Sequence, residues 1–283
     1  GMEPDFRPRP ARPVKDIWRP RSTTLPSDVW MHNAGLFLAD ESLTLNADAL
    51  QWLDSRGITK DAARAFGLGW NSQDWHIDRK AWGLDGDKPL WIPAGLVIPY
   101  MLDGKVIRLR IRRPAGDPRY VIVSGSDTRP MLLGSGVAVI VVESELDALL
   151  IYQLAGDLVR VVALGNAQAK PAEAAHQALV QAPVILNSLD GDEAGASQAW
   201  GWWQETYGAK VRRWPAPIGK DPGEAFQQGL SIRSWILTGL LETEDQEERF
   251  AIMKYDGEVS EAEAVRYILA NLKTEGETNG RAH

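Results

Sequence analysis

Hydrophobic positions change their spacing at about residue 136, and the change predicts two kinds of structure in one chain. After Gly136, continuous apolar runs alternate with helical stretches. Val137–Val142 is an unbroken aliphatic run, the pattern of a strand buried on both faces. Glu145–Leu154 follows as a helix ending at Gly156, then Val159–Leu164 as a second strand and Lys170–Gln181 as its helix. Val184–Leu186 reads as a third strand, Glu193–Tyr207 as a helix stopped by Gly208, and Lys210–Trp214 as a fourth strand closed by Pro215 and Pro217. This alternation predicts an α/β unit with a mostly parallel sheet and flanking helices. Beyond residue 240 one helix stands out, Glu261–Leu272, in an acidic segment that either packs on the core or trails from it.

Before Gly136 the pattern is shorter-ranged. Residues 1–42 are read as an extended or disordered arm, with six prolines in the first 27 positions. Asp48–Arg56 is a helix with Gly57 as its stop, and Thr59 caps a second helix over Lys60–Phe66. Trp70, Trp75, Trp82 and Trp91 fall in a loop-rich stretch, where packing is the favoured role and base stacking the alternative. Leu96–Met101 and Lys105–Arg113, joined through Asp103-Gly104, predict a β-hairpin, with Tyr120–Val123 a further strand. In the second hairpin strand Arg108, Arg110 and Arg112 alternate with Ile107, Leu109 and Ile111, so period 2 puts the guanidiniums on one face. With Arg113, Arg119 and Arg129 they form a basic set suited to bidentate phosphate contacts. The plainer alternative is a charged edge strand that resists aggregation.

Charge supports a division of labour. The net charge is −7, but residues 1–140 carry 19 Lys and Arg against 16 Asp and Glu, and residues 141–283 carry 12 against 22. A basic front and an acidic back suit polyanion binding in one place and cation binding in another. The absence of cysteine excludes disulfides and thiolate metal sites. No apolar run approaches the roughly 20 residues that span a bilayer, and the first residues lack a secretory h-region, so a cytoplasmic protein is expected.

Ligands of a doubly wound sheet sit beyond the carboxyl ends of its strands, and three acidic clusters fall there. Glu143 ends the first strand in Glu143-Ser-Glu-Leu-Asp147, Asp190 and Asp192 end the third in Asp190-Gly-Asp-Glu-Ala-Gly195, and Asp221 follows the fourth in Gly219-Lys-Asp-Pro-Gly223. Crowded carboxylates repel unless a cation neutralises them, and hard Mg²⁺ or Mn²⁺ takes oxygen ligands of this kind. One such acid could simply favour the following helix N-terminus; three at successive strand ends point to a metal site.

These residues resemble the toprim signature shared by DnaG-type bacterial primases, topoisomerases and some nucleases: a Glu after the first strand and an Asp-x-Asp after the third. Asp147 four residues after Glu143, the Asp-Gly-Asp-x-Ala-Gly stretch and the Gly-x-Asp-Pro segment resemble the primase form. Leu50–Gly69, Val97-Ile98-Pro99, Gly104–Ile107, Arg112 and Arg119-Tyr120 are similar to the upstream part of that core. The resemblance covers roughly residues 45–230. It implies a basic α+β subdomain over 43–135, a toprim domain over 136–240 and an acidic helical tail over 241–283. It further implies that Glu143, Asp190 and Asp192 are catalytic and bind Mg²⁺ or Mn²⁺, with Asp147 and Asp221 in support. Arg108, Arg110, Arg112, Arg113, Arg119 and Arg129 would meet template or triphosphate. The implied reaction joins nucleoside triphosphates into short RNA primers on single-stranded DNA.

Departures are specific. There is no zinc ribbon and no Walker-A motif, so a separate zinc-binding or helicase partner is implied, as on a phage, plasmid or integrated element. Gly223 stands where a second Asp is frequent, Asn166 where Thr is usual, and Ile122-Val123-Ser124 replaces Asn-Ser-Pro. Alternatives are a toprim nuclease and a DNA-binding accessory protein with a weakened site. A haloacid-dehalogenase-type phosphatase is disfavoured, because that family places Asp-x-Asp after the first strand.

Overall fold

A computed structural model of the protein describes residues 18–166, 168–189, 193–241, 243–255, 257 and 259–279. The first element is a helix, α1 (Asp28–Ala39), where the sequence reading had placed arm. Ser27 caps it by accepting the Trp30 N–H, and Trp30, Met31, Ala34 and Phe37 form a buried stripe at helical spacing. Two short helices follow as expected, α2 (Ala47–Ser55) and α3 (Lys60–Ala65), capped by Asn46 and Thr59. Gly57 between them adopts φ +80°, and a Cβ there would lie 2.6 Å from the Phe226 ring. Only glycine serves both the turn and that approach.

The tryptophan-rich stretch packs. Trp82 is buried edge-on to Trp30 and Trp75 edge-on to Phe37. It also holds three short strands, β1 (Gly69–Asn71), β2 (Trp75–Ile77) and β3 (Leu90–Ile92), the last two forming their own ribbon. The hairpin strands β4 (Gly95–Leu102) and β5 (Lys105–Arg112) join through a two-residue turn in which Asp103 and Gly104 both take positive φ. With β6 (Tyr120–Ile122) they make an antiparallel sheet of order β1-β4-β5-β6. The arginine strand β5 is therefore central, so the edge-strand alternative falls.

The second sheet has the order β11-β10-β8-β9-β7. Its parallel members are β8 (Ala138–Val142), β9 (Val159–Ala163), β10 (Ile185–Asn187) and β11 (Val211–Arg213). An antiparallel edge, β7 (Met131–Leu133), pairs with β9 and comes from a segment too short to show periodicity. All five residues of β8 are buried, as its unbroken aliphatic run predicts, the three valines and Ile140 each contributing about 1.5–3 kcal/mol. Helices α4 (Glu145–Ala155), α5 (Glu173–Gln181) and α6 (Glu193–Tyr207) cross between strands. Beyond β11 lie α7 (Pro222–Gln227), α8 (Ile232–Leu240), α9 (Glu244–Tyr255) and α10 (Glu261–Asn279). The C-terminal helix packs on the core: Ala264, Val265 and Leu269 are fully buried. Arg233 of α8 holds α10 and the end of α4 together, making two hydrogen bonds to Asp157 and one to Glu261. No helix among the described residues is long and apolar enough to cross a membrane.

Candidate active site

Parallel register brings the carboxyl ends of three strands to one edge. Val141 and Val142 of β8 lie beside Asn187 of β10 and Ala163 of β9 respectively. Past the strands, the Gly165 N–H donates to the Glu143 carbonyl at 2.8 Å and the Ser188 N–H to the Val141 carbonyl at 2.9 Å. Glu143 thus leaves β8 half-buried at this edge. Burial raises its carboxyl pKa, the Asp221 charge raises it further, and Arg110 opposes both.

Asp147 lies one turn into α4 and is buried. Its Oδ2 accepts from Ser144 Oγ at 2.5 Å and its Oδ1 from the Gly223 N–H at 3.1 Å. Burial, and then the Asp221 charge, push its pKa up to about 6. Asp221 caps α7 by accepting the Glu224 N–H at 2.7 Å, and Arg56 stands 3.7 Å from the same oxygen. Glu143, which follows β8, and Asp147 of α4 therefore each feel the charge of Asp221, in the segment after β11. Asp190 and Asp192 lie outside the described residues; Leu189, which precedes them, follows β10 at this edge. Among the described residues no three His, Asp or Glu side chains gather closely enough to hold a metal ion.

The arginine face of β5 looks onto the α/β unit. Arg110 Nη1 donates to Glu145 Oε1 at 2.7 Å and its Nη2 to the Gly165 carbonyl at 3.2 Å. Arg108 is almost wholly buried, 3.3 Å from the same Glu145 oxygen, and donates to the Arg129 carbonyl at 2.5 Å. Arg129 is itself paired with Asp127 at 2.7 Å. Arg112 stacks over Trp52 with 4.1 Å from guanidinium to ring centroid, and burial lowers its pKa. Arg113 lies over Trp91 and donates to the Pro118 carbonyl, while Arg119 is exposed. The six arginines thus divide: Arg108 and Arg110 engage Glu145 and backbone carbonyls, Arg129 pairs with Asp127, and Arg112, Arg113 and Arg119 lie further out along the basic sheet.

Sequence reasoning missed Glu145 and Arg56. A row of inward-facing guanidiniums demands a buried acid, and the second Glu of Glu143-Ser-Glu145 was the available signal. Gly223, read as the loss of an acid, is a close approach: a Cβ there would meet Arg56 Nη2 at 2.5 Å and Asp147 Oδ1 at 3.0 Å.

No family model matches the sequence, and no curated protein matches it. The fold, however, is that of bacterial primase catalytic cores. The chain superimposes on the RNA polymerase domain of Mycobacterium tuberculosis primase DnaG with a TM-score of 0.58 and 18% identity, covering 86% of this chain and 93% of that one. The Aquifex aeolicus primase, comprising zinc-binding and RNA polymerase domains, gives a TM-score of 0.55 at 21% identity, over 87% of this chain and 72% of that one. A DnaG primase catalytic domain bound to single-stranded DNA gives 0.50 at 18% identity, covering 79% and 86%.

Proposed function

We propose that this protein is a primase-like, metal-dependent nucleotidyltransferase that makes short RNA primers on single-stranded DNA. What supports the reading is the placement of Glu143 and Asp147, each within reach of the Asp221 charge, at the carboxyl edge of a sheet with the primase-core fold. The donor set is all carboxylate, which suits a hard divalent cation. Negative charge accumulates there, offset in part by Arg110 near Glu143 and by Arg56 and Lys220 near Asp221. Glu143, Asp190 and Asp192 would hold Mg²⁺ or Mn²⁺, with Asp147 and Asp221 setting the field around them. Bound there, the cation supplies Lewis-acid stabilisation of the attacking 3′-hydroxyl and the pyrophosphate leaving group.

The chain's own residues orient the reactants. Arg112, Arg113 and Arg119 on the antiparallel sheet would hold phosphates of template or primer, with Trp52 beneath Arg112 keeping that guanidinium aimed. One of the structurally similar primase domains was solved with single-stranded DNA bound, which supports DNA as the partner of this basic face. A separate zinc-binding or helicase protein would supply template recognition. Incubating the full chain with single-stranded DNA, labelled nucleoside triphosphates and Mn²⁺ tests the proposal. Labelled oligoribonucleotides, absent with Glu143→Gln, are the expected product. Cleaved DNA without RNA product would instead make the protein a nuclease.

A further inference from the structure

The backbone of Glu143 belongs to a closed ring of hydrogen bonds that reaches across to the antiparallel sheet. The Glu143 carbonyl accepts the Gly165 N–H at 2.8 Å, and the Gly165 carbonyl accepts from Arg110 Nη2 at 3.2 Å. Arg110 Nη1 donates in turn to Glu145 Oε1 at 2.7 Å. The chain itself closes the ring, since Glu145 follows Glu143 by two positions. Arg110 of β5 thus joins the loop after β9 to the start of α4, with Glu143 between them. Gly165 takes φ +89°, and a Cβ on it would stand 3.1 Å from Arg110 Nη1, so glycine suits both the backbone and the approach.

The Arg110 guanidinium is committed to this ring. Its side chain is only 11% exposed, both terminal nitrogens have acceptors, and it lies 4.8 Å from the centroid of the Tyr120 ring. Its acidic partner is fixed as well. The same Glu145 oxygen lies 3.3 Å from Arg108, which is almost wholly buried and donates to the Arg129 carbonyl. A phosphate ligand needs a fork free to turn toward its anion, and Arg110 does not offer one. We infer that Arg110 is a positioning residue for Glu143: it fixes the loop after β9 and the first turn of α4 around the Glu143 backbone, in place of holding a phosphate itself. Functional side chains act from backbones locked by a supporting shell of this kind. The Arg110 charge also favours the ionised Glu143 carboxyl, the form that a cation needs. That the positioning serves catalysis rests on the metal-dependent function proposed above; the hold on the Glu143 backbone does not.

The test is amide hydrogen exchange on the full chain in EDTA, comparing the wild type with Arg110→Lys. Lysine keeps the charge beside Glu143 but lacks the planar fork, so it cannot serve Glu145 and the Gly165 carbonyl together. Exchange at Gly165 should rise about tenfold or more, the effect of losing a hydrogen bond from a charged donor. Ser188, whose N–H donates to the Val141 carbonyl on the opposite side of β8, should keep its rate. Unchanged exchange at Gly165 overturns the proposal, and so does an equal rise at both amides, which would be general loosening. A second variant, Arg110→Gln, separates positioning from phosphate contact through the salt dependence of oligothymidylate binding. The slope should match the wild type; a drop of about 0.7, the value of one lost phosphate contact on a single strand, gives Arg110 to phosphate instead. Mn²⁺ titration followed by electron paramagnetic resonance should then show weaker binding to Arg110→Lys. Equal Mn²⁺ affinity with a loosened Gly165 overturns the link to the site. A wild type that binds no Mn²⁺ removes the metal reading, while the exchange result still decides whether Arg110 holds Glu143.

Discussion

The Gly223 N–H donates to Asp147 Oδ1 at 3.1 Å, fastening the N-terminus of α7 to the first turn of α4, where a Cβ on Gly223 would lie 2.5 Å from Arg56 Nη2. The three groups occupy one tight volume, so the glycine is a requirement of packing. Gly223→Ala should destabilise the protein by about 1–3 kcal/mol, the usual cost of overpacking. The cost should shrink in an Arg56→Ala background, since the nearest atom is then gone. Urea unfolding of the two single variants and the double variant measures the coupling; additive effects would contradict the contact.

Asp147 makes a pH-dependent contribution of definite sign. Its folded pKa of about 6 is raised above the ordinary 3.8, so the folded protein holds a proton that the unfolded chain releases. Stability from this group is complete below pH 4 and falls as pH rises toward and through 6. The elevation corresponds to at most about 3 kcal/mol. Asp147→Asn should remove that slope from urea midpoints measured between pH 4 and 7 in EDTA. A variant with the wild-type slope would show that another group titrates there.

One Glu145 oxygen serves both the buried Arg108 and the partly buried Arg110, and the asymmetry of the two contacts predicts unequal costs. Glu145→Gln strands both arginines and should cost about 3–5 kcal/mol, the range for breaking a buried ion pair from one side. Arg108→Met keeps the volume and leaves Arg110 paired with Glu145 at 2.7 Å, so the loss should be smaller. Equal losses by chemical denaturation would mean that the two arginines do not share the acid.

Much of the α/β unit was legible because its signals are local. Val137–Val142 is fully aliphatic and Val159–Leu164 is aliphatic apart from Arg160, and Gly156 and Gly208 mark helix ends without reference to the rest of the molecule. The period-2 arginines correctly gave one charged face on β5. What the alternation could not reveal is the neighbour across that face, because Arg108 meets Glu145 from 37 positions away, on α4. Helix α1 was hidden by the prolines before it, although Trp30, Ala34 and Phe37 carried its period. Strand β7 is three residues long, too short for any pattern to specify. The acids at the strand ends were proposed from position in the fold, whereas the closeness of Gly223 to Asp147 depends on how α7 docks, which no spacing encodes.

The central claim is that carboxylates far apart in sequence hold one divalent cation at the carboxyl edge of the parallel sheet. Electron paramagnetic resonance titration of Mn²⁺ into the wild type, Glu143→Gln and Asp192→Asn tests it without requiring turnover. Each substitution should weaken Mn²⁺ binding by about tenfold or more, as the loss of a charged ligand does, with the folded content unchanged by circular dichroism. If Glu143→Gln and Asp192→Asn bind Mn²⁺ as tightly as the wild type, the two acids share no ion and the account is wrong.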